Sequence, residues 1–473
     1  MSRLARLYGI NAVSALSNVA AIFAFLAAAG RAGYGTYGIY IVFFAFYQVL
    51  DFALVKVALV VFERHRAGRG ADQANVLAIG FLNRALVPIA ALSLPFILAG
   101  NTIFPYDPGT GVGGRIVALI VVVEFILSYP ANRTTFHLAL ERRFQAIQVM
   151  RLAATLLRHL FAWTVLLVTG SLLLAIAAIV LKGVVIGLIA RGWNERAFKI
   201  AAMDSTPAVA ASERNGDLLM LAGVAGTAFL LVIVQELPAA YIDRTYGRVA
   251  LGSFRVVYDL AAAVWFVSTI YPTVLFSYLL PREGAIDRDA ARRALQPLSD
   301  LIGVFHVGYF LGVATLLCGG TLFWAHTFTE LPFAFGVVGG IAILGYNRFL
   351  IEAAQAYGQT RATIVATAAT VVIVLAILTL GPANRGLPEV ALAWVAGQAA
   401  LMVGLKAILA RVVQSTLEAH RDLAIVLAPI VAVAVLQKVL PLDLLALVCL
   451  VGTVVAGTAL LVMVASTRRR DAA

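Results

Sequence analysis

Long apolar runs follow one another along almost the whole chain, and each is close to the length that crosses a membrane as a helix. A bilayer needs about 20 consecutive apolar residues for one helical crossing. The runs lie at roughly 8–29, 37–61, 75–99, 115–132, 147–169, 171–190, 217–239, 252–280, 299–320, 333–353, 362–381, 388–410, 422–441 and 443–465. The alternating segments of about ten residues that a membrane barrel requires do not occur. The pattern therefore predicts an all-α polytopic membrane protein with about fourteen transmembrane helices.

Composition agrees with this reading and excludes other classes of protein. Hydrophobic residues make up 62% of the 473 residues and charged residues only 13%, which is about half the charged share of a soluble domain. So few charges cannot cover a soluble core of this size. The first apolar run is longer than the core of a signal peptide and is followed by a second span, so we expect it to be retained.

Basic residues are distributed unevenly between the two sets of alternate loops. With the N-terminus placed in the cytoplasm, 22 of the 36 Lys and Arg residues fall in cytoplasmic segments and six fall on the opposite side. Cytoplasmic loops of membrane proteins collect Lys and Arg. We therefore expect both termini in the cytoplasm. The net charge of +12 then reflects orientation, and we expect no nucleic-acid partner.

A weak internal repeat divides the chain. Tyr34-Gly35 has a counterpart in Tyr246-Gly247 at an offset of 212, and Asn132-Arg133 matches Asn347-Arg348 at an offset of 215. Six helices per repeat would give two lobes of the same orientation, with a site between them. The predicted domains are an N-terminal lobe (1–200), a C-terminal lobe (201–412) and two extra helices with a basic tail (413–473).

Several ionisable side chains stand inside the predicted spans, where each charge costs at least a few kcal/mol at mid-depth. Arg158 is the most informative, because it lies about twelve residues, or ~18 Å, from the cytoplasmic end of helix five. It shares a helical face with Arg151 and has no acidic residue three or four positions away. Arg84 reaches a similar depth in helix three. Guanidinium groups bind phosphate oxygens bidentately, so these arginines are candidates to line a hydrated cavity for a phosphate.

Structural alternatives exist for most of the charges. Arg84 could pair with Glu124 on the next helix, and Arg255 could pair with Asp259 at i, i+4. Lys56 and Arg151 are close enough to cytoplasmic helix ends to reach the interface.

Coupling to an ion is a separate role for which three residues are candidates. Asp51 has no partner three or four positions away, so it could take a proton or a sodium ion, or pair with Arg84 or Lys182. Asp259 and His306 are the other two candidates, although a lone histidine is more often a hydrogen-bonded interior residue. We expect no metal site and no organic cofactor, since no metal-binding or nucleotide-binding motif occurs. Coupling to H⁺, Na⁺ or the membrane potential would supply the driving force.

Several short motifs resemble those of one transporter family. These are Gly33-Tyr34-Gly35-Thr36-Tyr37-Gly38 before helix two with Asp51 in it, Tyr246-Gly247, Tyr258-Asp259, and Tyr278-Leu-Leu-Pro281-Arg282. With the helix number and the repeat, they make residues 1 to about 410 similar to the bacterial Wzx-type flippases for lipid-linked polysaccharide repeat units. That family belongs to the multidrug/oligosaccharidyl-lipid/polysaccharide (MOP) exporter superfamily.

The resemblance implies a function and a location. It implies that the chain is a carrier, not an enzyme, in the bacterial inner membrane. The carrier would flip an undecaprenyl diphosphate-linked oligosaccharide, such as an exopolysaccharide or O-antigen unit, through a central cationic cavity by alternating access. Its partners would be that lipid-linked oligosaccharide, membrane lipids, and the polymerase and chain-length proteins of the same pathway. The residues implied to face the diphosphate are Arg84, Arg158, Lys56, Arg151 and Arg255.

Other functions remain open on the sequence alone. Many members of the polysaccharide group have twelve helices, whereas lipid II flippases have fourteen, which makes lipid II the alternative substrate. Helix one here carries no charge, however, unlike the arginine-rich helix one of the lipid II flippases. Multidrug antiporters carry acidic residues in helices one and seven, where this chain offers only Glu236. A polysaccharide polymerase would need a long external loop, and none is predicted.

Overall fold

The computed structural model describes residues 3–197, 211–265, 288–323, 331–380, 386–413 and 419–472. The described chain is helical throughout, with one isolated bridge between Asp107 and Val112 in a loop. Its helices are α1 (Arg3–Arg69), α2 (Ala71–Ile103), α3 (Gly114–Ser128), α4 (Pro130–Leu140), α5 (Phe144–Thr169), α6 (Leu172–Ala178), α7 (Val180–Ala197), α8 (Ala211–Tyr246), α9 (Arg248–Trp265), α10 (Arg288–Phe323), α11 (Leu331–Ala356), α12 (Thr360–Leu380), α13 (Leu387–Val413), α14 (Ala419–Leu436) and α15 (Leu442–Ala472).

The all-α polytopic fold predicted from the apolar runs is confirmed. Each of the fourteen predicted spans falls mainly on helix where the structure describes it, and the span 422–441 leaves the helix after Leu436. By length and composition, ten of the described helices can cross a membrane, or eleven if α3 and α4 are taken as one span bent by 51°. The chain is therefore a multi-pass membrane protein. The second half of the predicted span 252–280, and the motif Tyr278–Arg282, lie outside the described residues.

The first two predicted spans are joined in α1, which breaks at Gly30. This glycine has φ 65° and ψ −173°, a left-handed value of φ that a side chain would strain. The second segment of α1 begins directly after the break, so the motif Gly33–Gly38 lies in a helix and not in the loop we expected before helix two. Its glycines allow close packing, since a Cβ at Gly35 would lie 2.3 Å from the carbonyl oxygen of Arg248 in α9.

The described chain forms two compact units, Met1–Arg255 and Val256–Ala473. The first unit contains α1 to α8 and the start of α9, and α8 packs against α1 within it. Glycines bring α3 and α7 together in this unit, because a Cβ at Gly183 would lie 2.7 Å from the carbonyl oxygen of Glu124, and one at Gly187 would lie 2.0 Å from that of Leu127. Such small-xxx-small spacing is typical of helix crossings in membranes. The predicted domain limits at residues 200 and 412 stay predictions.

In the second unit, α11 is the most enclosed helix. Of its most apolar window, 89% is buried, whereas the corresponding fraction for α15 is 17%. Trp394 of α13 is completely buried against Gly340 of α11, where a Cβ would lie 2.5 Å from the indole ring. The peripheral helix α15 packs on α10.

Candidate functional site

A stripe of polar and half-exposed side chains runs along the second segment of α1. Gln48, Asp51, Phe52 and Lys56 follow one another at spacings of three, one and four, so they lie on one helical face. Gln48 and Phe52 are exposed, and Asp51 and Lys56 are half-buried. Ionisable side chains inside membrane spans face the protein interior or a water-filled cavity. The stripe is therefore a candidate wall of a hydrated site within the first compact unit. The stripe together with Phe44, Arg151 and Arg158 is called the groove below.

Two arginines of α5 contact the aromatic residues of this stripe. The guanidinium of Arg151 lies 4.4 Å from the ring centroid of Phe52, and that of Arg158 lies 5.4 Å from the ring of Phe44, about two turns earlier on α1. Both arginines are half-buried. Because guanidinium groups stack on aromatic rings without losing their N–H donors, this arrangement holds both side chains in place while leaving them able to bind an anion.

Asn18, in the first segment of α1, fixes Arg158 and its neighbour His159. The Nη2 group of Arg158 donates to Oδ1 of Asn18 at 3.4 Å, and Nε2 of His159 lies 2.8 Å from the same oxygen. An amide oxygen only accepts, so Nε2 of His159 carries the proton. No local sequence pattern predicts this contact, because Asn18 stands among apolar residues about 140 positions away.

A buried ion pair lies beside Arg158. The ammonium group of Lys182 in α7 pairs with Oε1 of Glu124 in α3, and the hydroxyl of Tyr40 donates to Oε2 at 2.7 Å. All three side chains are at least 93% buried. Lys182 also lies 4.8 Å from the ring of Phe44, so this ring contacts two cations. The alternative pairing of Arg84 with Glu124 is wrong, because Lys182 and Tyr40 occupy both carboxylate oxygens.

Asp51, a candidate for ion coupling, is held by an amide. The Nδ2 group of Asn132 in α4 donates to Oδ1 of Asp51 at 2.9 Å, and the charges of Lys182 and Arg151 act on the carboxylate. Asn132 belongs to the Asn-Arg motif that suggested an internal repeat. The groove thus combines at least one acidic group with several cations.

The two remaining cationic candidates in this unit differ in exposure. Lys56 is half-buried on the α1 stripe, four residues beyond Phe52. Arg84 is exposed on α2, and its guanidinium lies back along its own helix, where a Cβ at Gly80 would be 3.3 Å from Nη1. Among the described residues Arg84 forms no ion pair, so the structure does not bring it to the Arg158 cluster.

Arg255, the fifth cationic candidate, is completely buried. Its Nη1 group donates to Oε2 of Glu236 in α8 at 2.7 Å, and its aliphatic part packs where Gly38 of α1 leaves room. Asp259, the partner that the i, i+4 spacing suggested, lies one turn further along α9 and is half-buried. The sequence offers Glu236 only as an acidic residue near the end of the seventh predicted helix, which is α8 in the structure. Spacing within one helix did not predict it, because the partner comes from another helix.

His306, the last candidate, is a buried residue of α10. Its Nδ1 donates to the carbonyl oxygen of Ile302 at 2.7 Å, and its ring packs edge-on against Tyr346. Nε2 has no hydrogen-bond partner among the described residues. The contact with Ile302 fits the interior-histidine alternative. Within the described part of the chain no group of three or more His, Cys, Asp or Glu residues could hold a metal ion.

Comparison with known proteins identifies solved structures with a similar fold but no matching family or curated protein. No family model matches the sequence, and no curated protein matches it. Among solved structures, the lipid II flippase MurJ in an inward closed conformation has a TM-score of 0.62 at 12% identity, over 99% of both chains. A MATE transporter from Vibrio cholerae, VcmN, has a TM-score of 0.55 at 16% identity, over 89% of this chain and 97% of that one. An inward-facing multidrug resistance MATE transporter of the MOP superfamily gives 0.54 at 13% identity, over 88% of this chain and 97% of that one.

These similarities concern the fold alone. The chain has the fold of MOP-superfamily transporters, as the sequence resemblance implied. These three solved structures are of transporters and a flippase. That this chain is not an enzyme stays a prediction. Specificity of the Wzx type stays a prediction.

Proposed function

We propose that the chain is a flippase that moves an undecaprenyl diphosphate-linked oligosaccharide across the bacterial inner membrane by alternating access. The observation that carries this proposal is the half-exposed cationic groove between α1 and α5, with Arg151 and Arg158 stacked on Phe52 and Phe44. A diphosphate matches paired guanidinium groups in charge and geometry. The uneven distribution of Lys and Arg favours cytoplasmic termini, so the head group would enter from the cytoplasm.

Roles within the groove follow from exposure. Arg158, Arg151 and Lys56 would bind the diphosphate, and exposed Gln48 would reach the first sugar. Buried Lys182 does not reach the substrate, because it pairs with Glu124 and holds the ring of Phe44 in contact with its ammonium group. Asp51 would carry the coupling proton or sodium ion, because it stands in the groove beside the cations that substrate binding affects. Arg84 and Arg255 become weaker ligand candidates, one for its position and the other for its buried pair with Glu236.

An apolar cleft on the second unit would suit the polyprenyl tail. A cavity of about 360 Å³ opens between α10 and α15, lined by Gly308, Gly312, Leu316, Leu450 and Thr453. Its glycines remove side chains from the floor of the cleft. An apolar chain in this cleft would remain in contact with lipid.

Lipid II is the second candidate substrate, and a specific observation favours it. The similarity to MurJ extends over 99% of this chain, including α14 and α15, whereas the MATE transporters cover 88% and 89%. Lipid II also carries an undecaprenyl diphosphate, so the same arginines would bind it. The two substrates differ only in their sugars and peptide.

A transport assay with purified chain tests the function and separates the substrates. In proteoliposomes, a fluorescent undecaprenyl diphosphate-linked disaccharide or lipid II should become accessible at the opposite leaflet, and the faster of the two identifies the class. Arg158→Ala should lower this rate at least tenfold, because the diphosphate loses a bidentate contact (about 1.4 kcal/mol corresponds to each tenfold).

Leu156→Ala is the matched control, since Leu156 is an exposed apolar residue on the same helix. Its rate should equal that of the original chain at the same protein content. Full transport by the Arg158→Ala variant would remove Arg158 from the site. Absence of transport of both lipids by the original chain, in a fold shown to be intact, would contradict the flippase proposal.

A further inference from the structure

The second segment of α1 is tied to α8 and the start of α9 at both ends. At one end the tie is formed by Arg248, the first residue of α9. At the other end it is formed by Arg64, near the end of α1. Both ties lie within the compact unit Met1–Arg255. Each uses an arginine, but the two differ in burial and in the number of segments that they join.

Arg248 joins three segments of the chain. Its Nε lies 2.8 Å from Oδ1 of Asp243 in α8, its Nη1 donates to the hydroxyl of Thr36 in α1 at 3.4 Å, and its Nη2 donates to the carbonyl oxygen of Pro105 at 3.0 Å. The side chain is 92% buried. Gly247, with φ 83°, makes the sharp turn that places Arg248 there.

The loop after α2 supplies further attraction at this end. Burial alone would raise the pKa of Asp107, but hydrogen bonds from Thr110 and the Gly109 N–H, together with the charge of Arg248, hold this pKa below its ordinary value. The carboxylate therefore stays ionised at neutral pH and attracts Arg248. The backbones also meet here, because a Cβ at Gly252 would lie 1.9 Å from the carbonyl oxygen of Arg31.

The contact between Thr36 and Arg248 joins positions that the repeat makes equivalent. They are 212 residues apart, which is the offset between Tyr34-Gly35 and Tyr246-Gly247. When two repeats are related by an axis along the membrane normal, equivalent residues can touch only near that axis. On the predicted repeat, the tie at Arg248 thus lies near the axis that relates its two halves.

Arg64 forms the other tie with a single helix. Its Nη1 lies 2.8 Å from Oδ1 of Asp217 in α8. Asp217 is 95% buried, whereas the Arg64 side chain is 47% exposed. Surface ion pairs contribute less than buried ones with several partners, so this tie is the weaker of the two.

The ties are separated by the thickness of a membrane. Thr36 and Arg64 are 28 residues apart on α1, or ~42 Å at the helical rise of 1.5 Å per residue. A bilayer with its head groups is about 40–45 Å thick. The Arg64 end is the face predicted as cytoplasmic, and the Arg248 end is the opposite face.

We infer that Arg248 and Arg64 are two opposed latches, one for each face of the membrane. In this proposal, which rests on the proposed function as a carrier, α8 and the start of α9 move against α1. Opening at the Arg248 face breaks the contacts of Arg248 with Thr36 and Pro105, while its pair with Asp243 in the adjoining α8 persists. Opening at the Arg64 face breaks the pair with Asp217. Each opening leaves the other latch closed.

The test measures from which face the groove is accessible. Gln48 lies in the groove about midway between the latches, so a Gln48→Cys reporter is placed in a chain in which Cys318 and Cys449 are changed to Ala. A membrane-impermeant maleimide is added from either side of sealed vesicles whose orientation is fixed by a C-terminal tag. Arg248→Gln should raise labelling from the Arg248 face at least threefold and lower it from the other. Arg64→Gln should shift labelling in the opposite direction, by a smaller factor.

Two neighbouring arginines serve as matched controls. Arg66 pairs with Glu63 of its own helix, and Arg115 is exposed near the opposite face. Their changes to Gln should leave labelling unaltered. Since Arg248→Gln removes a buried group, Thr36→Val provides a milder variant that should shift labelling in the same direction as Arg248→Gln.

The outcomes decide the inference independently of the substrate. Shifts of the same sign, or no shift in either latch variant, would overturn it. Opposite shifts in a chain that flips neither lipid would leave the latches standing and reject the proposed function. If the chain transports either lipid but all variants are labelled equally, the proposed function stands and the latches are rejected.

Discussion

Arg158 and Arg255 are both arginines within membrane spans, yet the structure gives them different surroundings. Arg158 is half-buried in a polar groove, where a neutral amide accepts its hydrogen bond and Phe44 stacks on it. Arg255 is completely buried and pairs with Glu236. A buried pair must satisfy itself, whereas an arginine in a groove can exchange its contacts for those of a ligand. Burial and the charge of the partner therefore separate structural arginines from candidate binding residues.

The largest effect that sharpens this comparison is expected from Glu236→Gln. This change leaves the Arg255 charge buried without its carboxylate, and breaking a buried pair in this way costs about 3–5 kcal/mol. The variant should be lost from the folded fraction in detergent, measured by size-exclusion chromatography and thermal unfolding.

The double variant Glu236→Leu with Arg255→Met provides the control for this experiment. Replacing both members of a buried pair by apolar residues of similar volume is often neutral, so the fold should return. Arg158→Ala should unfold at nearly the original temperature. If Glu236→Gln and Arg158→Ala lose the same stability, the distinction between the two arginines fails.

How far the sequence predicted this arrangement depends on whether the signal was local. Run length is a local property, so the sequence predicts the helices. The left-handed Gly30 shows how the first two spans follow each other without a loop between them. Partners of buried charges are not local. Spacing within α9 suggested Asp259 for Arg255, and helix packing adds Glu236 from α8, which spacing within one helix cannot predict. Similar depth in the membrane suggested that Arg84 pairs with Glu124. Gly183 instead lets α7 pack closely on α3, so Lys182 pairs with the Glu124 carboxylate.

Tyr40→Phe should have an intermediate effect on stability. The Lys182–Glu124 pair is buried like that of Arg255, but it also contacts Phe44, the ring on which Arg158 stacks. The hydroxyl of Tyr40 donates to a buried carboxylate, and hydrogen bonds to charged groups contribute about 1.5–3 kcal/mol. Tyr47→Phe is the matched variant on the same helix, since its hydroxyl donates to Ser93 at 2.8 Å, a neutral acceptor. Such a bond contributes about 0.5–1.5 kcal/mol. Thermal unfolding should rank Tyr40→Phe below Tyr47→Phe, and the reverse order would show that the Tyr40 bond adds no more stability than the bond to Ser93.

Asn18→Asp should have the smallest effect on stability and still impair transport. The new carboxylate would stand where the amide oxygen now accepts from Arg158 and His159, so it would place a negative charge against the guanidinium of Arg158. The ion pair adds at most about 1 kcal/mol of stability at a half-exposed site. A phosphate would then have to displace the carboxylate from the guanidinium. Flipping in proteoliposomes should slow severalfold while the unfolding temperature stays within a few degrees.

Asn18→Ser, which keeps a neutral acceptor, should retain most of the rate. Equal rates for the Asp and Ser variants would show that the charge on the partner of Arg158 does not matter, and the comparison between the two arginines would then reduce to their burial alone.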